Sequence, residues 1–284
     1  MIKEWIDSYK PKNLQESENA LREIMQEIAL AGLYRANFFN IAAFYGGTAL
    51  RIFHGLQRFS EDLDFSLIKK DPDFEFAPYF ESILEEFQSL GLKVSLRQKV
   101  KSAITNVDSA FLKSETLWSE LVFENSIPQL NLKFKPIIKI KLEIDTYPPL
   151  GFETEHLLLN KPFSFYVNCF TLPDLFAGKM HALLFRKWKN RVKGRDWFDF
   201  EWYLKSGVEI NLSHFQQRAF ETNDWHADAI SRDQLLDLIF KKINAVNFDS
   251  IKKDIERFIP NPEILNIWSA DYFLKLTEKL IIRG

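Results

Sequence analysis

Two closely spaced aspartates with a glycine pair upstream are the residues of this sequence best placed to do chemistry. The segment from Tyr45 to Phe65 reads YGGTALRIFHGLQRFSEDLDF. Alternate side chains of a β-strand point to the same face, so a strand here would present Asp62 and Asp64 together and turn Leu63 into the core. Carboxylate oxygens suit Mg²⁺ and Mn²⁺. The pattern therefore predicts a metal site at Asp62 and Asp64.

The glycine pair predicts a phosphate-binding turn at the start of a helix. Gly46 and Gly47 have no Cβ, so backbone N–H groups can approach phosphate oxygens closely. A helix that begins at Thr48 directs its positive end to the same place. An isolated D-x-D is more often solvated turn chemistry, but a glycine pair at this distance favours a site for a nucleoside triphosphate (NTP) and its metal ions.

Two residues near the aspartates each have two possible roles, and a later strand offers two candidates for a further carboxylate. Ser60 either caps the turn or donates to a phosphate oxygen. Arg58 either binds phosphate or pairs with Glu61 at the surface, where a pair contributes little. The alternating segment IIKIKLEID at 137–145 predicts a strand buried on one side. Its polar face offers Glu143 or Asp145 as a third carboxylate.

A basic segment provides the cations that transfer of a phosphorylated group requires. Seven Lys or Arg residues and no acid lie between Asp174 and Asp196. Lys179 and Arg186 share a face of the predicted helix and are expected to meet one anion. The residues predicted to contact a nucleic-acid backbone, with Trp188 and Trp197 beside them, are Arg186, Lys187, Lys189, Arg191, Lys193 and Arg195. A solvated charged loop is the alternative, and Asp196 serves either catalysis or the helix dipole.

Composition indicates an ordinary soluble globular protein. The chain has 284 residues, 46% hydrophobic and 27% charged, with a formal net charge of −2. That charge argues against binding of nucleic acid through overall charge, so a polyanion must meet a local patch. One cysteine excludes an internal disulfide, and no apolar run approaches the ~18 residues of a membrane span. We expect a cytoplasmic protein that does not bind membranes.

Periodicity predicts an α/β fold whose second part is helical. Apolar residues at helical spacing predict a helix at about 15–35, followed by a short strand at 41–45 and the glycine–helix–D-x-D unit. Residues 101–128 are predicted as strand with loops, and 163–170 as a further strand. After residue 170 helices are predicted at 174–188, 197–205, 213–220, 232–244, 249–258 and 272–282. A domain boundary is therefore expected near residue 170.

The order of these motifs resembles that of a known family. The matching segments are GGTAL at 46–50, RFSEDLDF at 58–65, KLEI at 141–144, AGKMHAL at 177–183 and RDWFD at 195–199. They span about half of the chain. The sequence resembles nucleotidyltransferases of the AbiEii/AbiGii toxin family, within the DNA polymerase beta-like superfamily. The resemblance implies a nucleotidyltransferase domain with a mixed sheet at 1–170 and a helical domain at 171–284 that completes the active-site cleft.

The resemblance also implies a function and a set of site residues. It implies a toxin of an abortive-infection or type IV toxin–antitoxin system, neutralised by a separately encoded antitoxin. Some relatives transfer a nucleotide from an NTP to the acceptor end of tRNA. The residues implied for catalysis are Asp62, Asp64, Glu143, Lys179 and Asp196; those for nucleotide binding are Gly46, Gly47, Thr48, Arg58, Ser60 and Lys179; those for Mg²⁺ or Mn²⁺ are Asp62, Asp64 and Glu143. Many relatives have serine where this chain has Gly47, so Ser60 is expected to supply the missing hydroxyl.

Two other functions fit the same residues. One is nucleotide transfer to a small molecule or to a protein hydroxyl, against which the basic segment weighs modestly. The other is a catalytically silent nucleotide-binding module that regulates a protein partner. The intact Asp62, Asp64, Lys179 and Asp196 argue against that second function.

Overall fold

The computed structural model describes residues 1–98, 116–124, 137–186, 193–226 and 229–283. Its α-helices are α1 (Ile2–Ser8), α2 (Leu14–Arg35), α3 (Gly46–His54), α4 (Phe80–Ser89), α5 (Leu172–Phe185), α6 (Gly194–Lys205), α7 (Leu212–Glu221), α8 (Arg232–Ala245), α9 (Phe248–Ile255) and α10 (Ala270–Thr277). Its strands are β1 (Ala42–Tyr45), β2 (Leu63–Leu67), β3 (Val94–Gln98), β4 (Thr116–Glu124), β5 (Ile137–Asp145), β6 (Thr154–Leu159), β7 (Phe165–Phe170), β8 (Glu209–Asn211) and β9 (Ile281–Arg283). None of these helices is long and apolar enough to cross a membrane.

Seven strands form one mixed sheet in the order β3-β4-β5-β2-β1-β7-β6. Strand β2 runs parallel to β5 and antiparallel to β1, and β1 runs parallel to β7. The pairs β3–β4 and β4–β5 are antiparallel. A mixed sheet accompanied by many helices confirms the predicted α/β fold class.

The unit β1–α3–β2 forms because most of its apolar residues are buried in the core. Leu63 and Phe65 have no exposed surface, as predicted from the strand alternation. The other predicted strand, β5, has four buried side chains on one face: Ile138, Ile140, Leu142 and Ile144. Burial of each such side chain contributes roughly 1.5–3 kcal/mol. The polar residues of β2 and β5 are thereby held on the opposite face of their strands.

The chain divides into two compact units. The first, called the sheet unit, comprises Met1–Ala49, Ser60–Pro148 and Glu155–Cys169. The second, called the helical unit, comprises Leu50–Phe59, Pro149–Thr154 and Phe170–Gly284. The expected division into domains 1–170 and 171–284 stays a prediction.

Some elements differ from the sequence predictions because their stabilising contacts are non-local. The predicted helix at 272–282 ends at Thr277, and residues Ile281–Arg283 instead form β9. Strand β9 pairs in parallel with β8, about 70 residues earlier in the chain. Periodicity reads only local neighbours, so it missed β8, β9 and the mostly exposed β6. Of the region 101–128, only 116–124 is described, as β4.

Candidate active site

Gly46 lies at the junction of β1 and α3 and is required there for two reasons. Its φ is +85°, a left-handed conformation that side chains disfavour. A Cβ on Gly46 would stand 2.6 Å from Asp64 Oδ2. The absence of a side chain therefore lets the Asp64 carboxylate lie against the first turn of α3, where backbone N–H groups have no helical partner.

Buried hydrogen bonds hold the segment that carries Asp62. The Thr48 hydroxyl, which has no exposed surface, donates to the Asp62 backbone carbonyl. The buried Gln26 donates from Nε2 to the Ser60 carbonyl at 3.2 Å. The hydroxyl of Thr48, which was predicted to bind nucleotide, thus positions Asp62. Of the described hydrogen bonds, none involves the Ser60 hydroxyl itself.

The register of β2 and β5 brings two predicted site residues level. Asp64 pairs with Glu143, and Ser66 pairs with Asp145. Residues directly opposite each other on neighbouring strands point to the same face. Lys141 Nζ lies 2.5 Å from Glu143 Oε1, and the Tyr147 backbone N–H donates to Asp145 Oδ1 at 3.1 Å. Of the two alternatives for a third carboxylate, Glu143 is the one level with Asp64.

These carboxylates fit a divalent cation by their chemistry. Asp62, Asp64 and Glu143 offer only oxygen donors, and Gly46 leaves open the space beside Asp64 Oδ2. Within the described ranges, no three Asp, Glu, His or Cys side chains already surround a common point at metal-binding distance. The three candidate ligands are thus two carboxylates on one face of β2 and β5, Asp64 and Glu143, and a third just before β2, Asp62.

In the helical unit, Arg58 and Asp199 form a buried bidentate ion pair. Arg58 Nε donates to Asp199 Oδ1 at 2.5 Å and Nη2 donates to Oδ2 at 2.6 Å. The side chains are 2% and 0% exposed. Burial works against the charge of Asp199, but Arg58 and Lys179 more than compensate and lower its pKa. Arg58 therefore pairs with Asp199, and Glu61, the surface partner considered above, lies 3.9 Å from Arg22 instead.

Lys179 extends this pair into a buried cluster. Its Nζ lies 2.9 Å from Asp196 Oδ1 and 2.8 Å from Asp199 Oδ2. Burial disfavours the ammonium, but attraction to Asp196 and Asp199 prevails and raises the pKa of Lys179. Lys179 consequently stays protonated at neutral pH. Asp199 was absent from the predicted site, although its place one turn after Asp196 on α6 was a usable signal.

The structure places several residues of the basic segment differently from the prediction made from the sequence. Helix α5 ends at Phe185, and Arg186 follows in extended conformation, so it does not share a helical face with Lys179. Lys193 is the N-cap of α6, and the Arg195 guanidinium lies 4.4 Å from the centre of the Phe258 ring. Trp197 is buried and is therefore no exposed stacking partner for a base. Lys187, Lys189, Arg191 and Trp188 fall outside the described residues.

Two buried histidines give the helical unit a pH-dependent stability. Burial and the nearby Arg218 lower the pKa of His181 to about 3, with smaller contributions from Arg186 and His214. Burial and Arg218 likewise lower the pKa of His214 to about 3. Both imidazoles are therefore neutral in the folded protein at neutral pH.

We expect the contribution of these two histidines to the free energy of unfolding to fall as the pH is lowered from 7.5 to 5.5. The unfolded chain protonates these histidines below an ordinary pKa of 6.5, whereas the folded chain does so only near 3. Each histidine then costs about 1.4 kcal/mol at pH 5.5, so the pair costs about 3 kcal/mol. Urea unfolding of the wild type and of His214→Leu measures this. The variant should lose about half of the histidine contribution, and an identical pH dependence in both proteins would contradict the account.

Comparison with known proteins identifies the class of enzyme to which the chain belongs: it is a nucleotidyltransferase. The chain belongs to the family described as "Nucleotidyl transferase AbiEii toxin, Type IV TA system", whose model matches residues 28–275. This confirms the resemblance seen in the sequence. Membership implies an NTP substrate and an antitoxin partner.

Solved structures of similar proteins have low identity to this chain. JHP933 from Helicobacter pylori is 17% identical, with a TM-score of 0.44 over 92% of this chain and 94% of that one. A putative nucleotidyltransferase from H. pylori is 17% identical, with a TM-score of 0.40 over 90% and 94%. An antigenic nucleotidyltransferase-like protein from Paracoccidioides brasiliensis is 13% identical, with a TM-score of 0.42 over 86% and 97%. No curated protein matches the chain.

Proposed function

We propose that this nucleotidyltransferase transfers a nucleotide from an NTP to the 3′ hydroxyl of an RNA in the cytoplasm, with the tRNA 3′ end as acceptor and Mg²⁺ or Mn²⁺ as cofactor. The observation that carries the proposal is the level placement of Asp64 and Glu143 on parallel strands, with Asp64 close to Gly46 at the start of α3. In the reaction the 3′ oxygen bonds to the α-phosphorus, pyrophosphate leaves and the hydroxyl loses its proton.

In the sheet unit, Asp62, Asp64 and Glu143 would hold the metal ions. Bound there, a divalent metal would activate the attacking hydroxyl and stabilise the leaving pyrophosphate. The first turn of α3, with Gly46 and Gly47, receives phosphate oxygens on backbone N–H groups that have no partner within the helix. Thr48 keeps the Asp62 segment in place through its buried hydrogen bond.

In the helical unit, Lys179 supplies a positive charge for the triphosphate. Asp196 and Asp199 keep it protonated and fix its position. Arg58 and Asp199 act as positioning residues, because Arg58 is buried and its Nε and Nη2 are committed to Asp199. The residues assigned to the RNA backbone remain Arg186, Lys187, Lys189, Arg191, Lys193 and Arg195.

The experiment that tests this function is incubation of the purified protein with total RNA and each α-labelled NTP in turn, in the presence of Mg²⁺. We expect label in RNA of tRNA size. Label only in protein or in a small molecule would refute the RNA acceptor. NTP binding without any labelled product would instead support a catalytically silent module.

We expect Ser60→Ala to reduce transfer by about tenfold with little change in stability. Ser60 is half-buried and contributes its carbonyl, not its hydroxyl, to the hydrogen bond from Gln26. Loss of one hydroxyl contact to a charged phosphate costs about 1.5 kcal/mol. Initial rates at saturating and limiting NTP measure the change. Full transfer by the variant would show that Ser60 does not replace the serine missing at Gly47.

A further inference from the structure

A cavity of about 610 Å³ lies within the helical unit, beside the ends of α5 and α8 and the start of α6. Its volume is in the range of pockets that bind small ligands, roughly 300–1,000 Å³. In the part of the chain that the structure describes, three cationic side chains line it: Arg186, Lys193 and Lys242. Lys242 belongs neither to the D-x-D motif nor to the cluster around Asp199, so no role has yet been assigned to it.

The two lysines of this cavity are partly removed from water. Burial, followed by the nearby Arg195, lowers the pKa of Lys193, and burial lowers the pKa of Lys242. Lys242 Nζ donates to the Leu184 carbonyl at 3.3 Å, which fixes it at the end of α5. A poorly hydrated ammonium gains more from an anion than a fully hydrated one, because the anion replaces missing water.

The carboxylates that line the cavity are already engaged. Asp196 is paired with Lys179 at 2.9 Å. Asp224 accepts from the Thr222 hydroxyl at 2.7 Å and lies 3.2 Å from His181 Nε2. Because His181 is neutral, it does not cancel the charge of Asp224. Among the described residues of the lining, the cations Arg186, Lys193 and Lys242 outnumber the carboxylates Asp196 and Asp224, so the cavity favours an anion.

We propose that this cavity is a nucleotide subsite in which Arg186, Lys193 and Lys242 bind a phosphate group. Two further polar residues of the lining, Asn223 and His226, supply hydrogen-bonding groups for the attached ribose or base. A phosphate oxygen accepts strong hydrogen bonds from such cations. The nucleotide is either the incoming NTP or the terminal nucleotide of the acceptor RNA. The choice of these two sources rests on the proposed function.

Binding measurements on Lys242→Met test the subsite. The probes are each NTP, followed by calorimetry, and a short 5′-fluorescein-labelled single-stranded RNA, followed by polarisation. We expect the Kd of one probe to rise about tenfold, the effect of one lost charged hydrogen bond. For RNA the slope of log K against log salt should also fall by about 0.7. Lys241→Met, an exposed neighbour on α8 that does not line the cavity, is the control.

A second measurement uses the unaltered protein, because Lys242→Met also removes the bond to Leu184. Lysine acetylation is followed by mass spectrometry with and without saturating NTP or RNA. We expect severalfold protection of Lys193 and Lys242 and none of Lys241. Protection by NTP alone assigns the subsite to the incoming nucleotide, and protection by RNA alone assigns it to the acceptor.

Unchanged affinity in Lys242→Met together with unprotected Lys193 and Lys242 overturns the subsite. Both readouts measure binding and not transfer. A protein that labels RNA but shows neither effect would therefore refute only the subsite. Protection without any labelled RNA would refute only the proposed reaction.

Discussion

Asp64→Asn should lower nucleotide transfer by about 10³-fold, or ~4 kcal/mol of transition-state stabilisation. Asp64 lies against Gly46 at the start of α3 and is level with Glu143, so its carboxylate is the proposed metal ligand best defined by the structure. Asparagine keeps the shape of the side chain and one oxygen but loses the negative charge that a divalent cation requires.

Folding should survive this change. Asp64 is half-buried, and the substitution reduces repulsion between Asp64 and Glu143 on the same strand face. Circular dichroism melting and initial transfer rates are measured on the same preparation. Glu75→Gln, an exposed acid of the sheet unit, is the matched control and should retain full activity. Transfer by Asp64→Asn at the wild-type rate would remove Asp64 from the site.

Asp199→Asn should destabilise the protein by about 3–5 kcal/mol, the usual cost of breaking a buried ion pair by removing one partner. Arg58 and Lys179 both face this carboxylate, which has no exposed surface. The amide provides neither the charge nor the second acceptor oxygen that they need. Of the two carboxylates in this cluster, Asp196 alone then remains to balance the buried charges of Arg58 and Lys179.

Chemical unfolding in urea measures that loss. Asp237→Asn, an exposed acid on α8, should change the free energy of unfolding by less than about 0.5 kcal/mol. Adding Arg58→Met to Asp199→Asn should recover part of the loss, because one uncompensated charge is removed. Equal stability of Asp199→Asn and the wild type would show that the cluster is not a source of stability.

Residues with strong local patterns were predictable, whereas residues with non-local partners were not. Strand β5 and the D-x-D strand follow from apolar alternation alone, since burial of one strand face needs no knowledge of the partner. Gly46 was identified for its backbone freedom, but its contact with the Asp64 carboxylate arises from pairing of β1 with β2. The pairing of Arg58 with Asp199 joins residues 141 positions apart, which no local pattern encodes.

The same distinction explains the errors around the basic segment. Charge spacing suggested that Lys179 and Arg186 share a helical face, but α5 ends one residue before Arg186. Trp197 looked like an exposed aromatic beside a basic loop, whereas it packs against Phe248 and Phe273 in the core. Lys242 lies 58 residues after Leu184 in the chain, so no local pattern in the sequence indicated that its side chain contacts the end of α5.

The most direct test of the central claim is a stoichiometric assay of the purified wild-type protein with total RNA, Mg²⁺ and α-labelled NTP. Released pyrophosphate and labelled RNA are measured together, and nuclease digestion maps the label. We expect one pyrophosphate per nucleotide added, all label at RNA 3′ ends, and about 10³-fold less label with Asp64→Asn. Equal labelling by Asp64→Asn, or label that is never at a 3′ end, would contradict that claim.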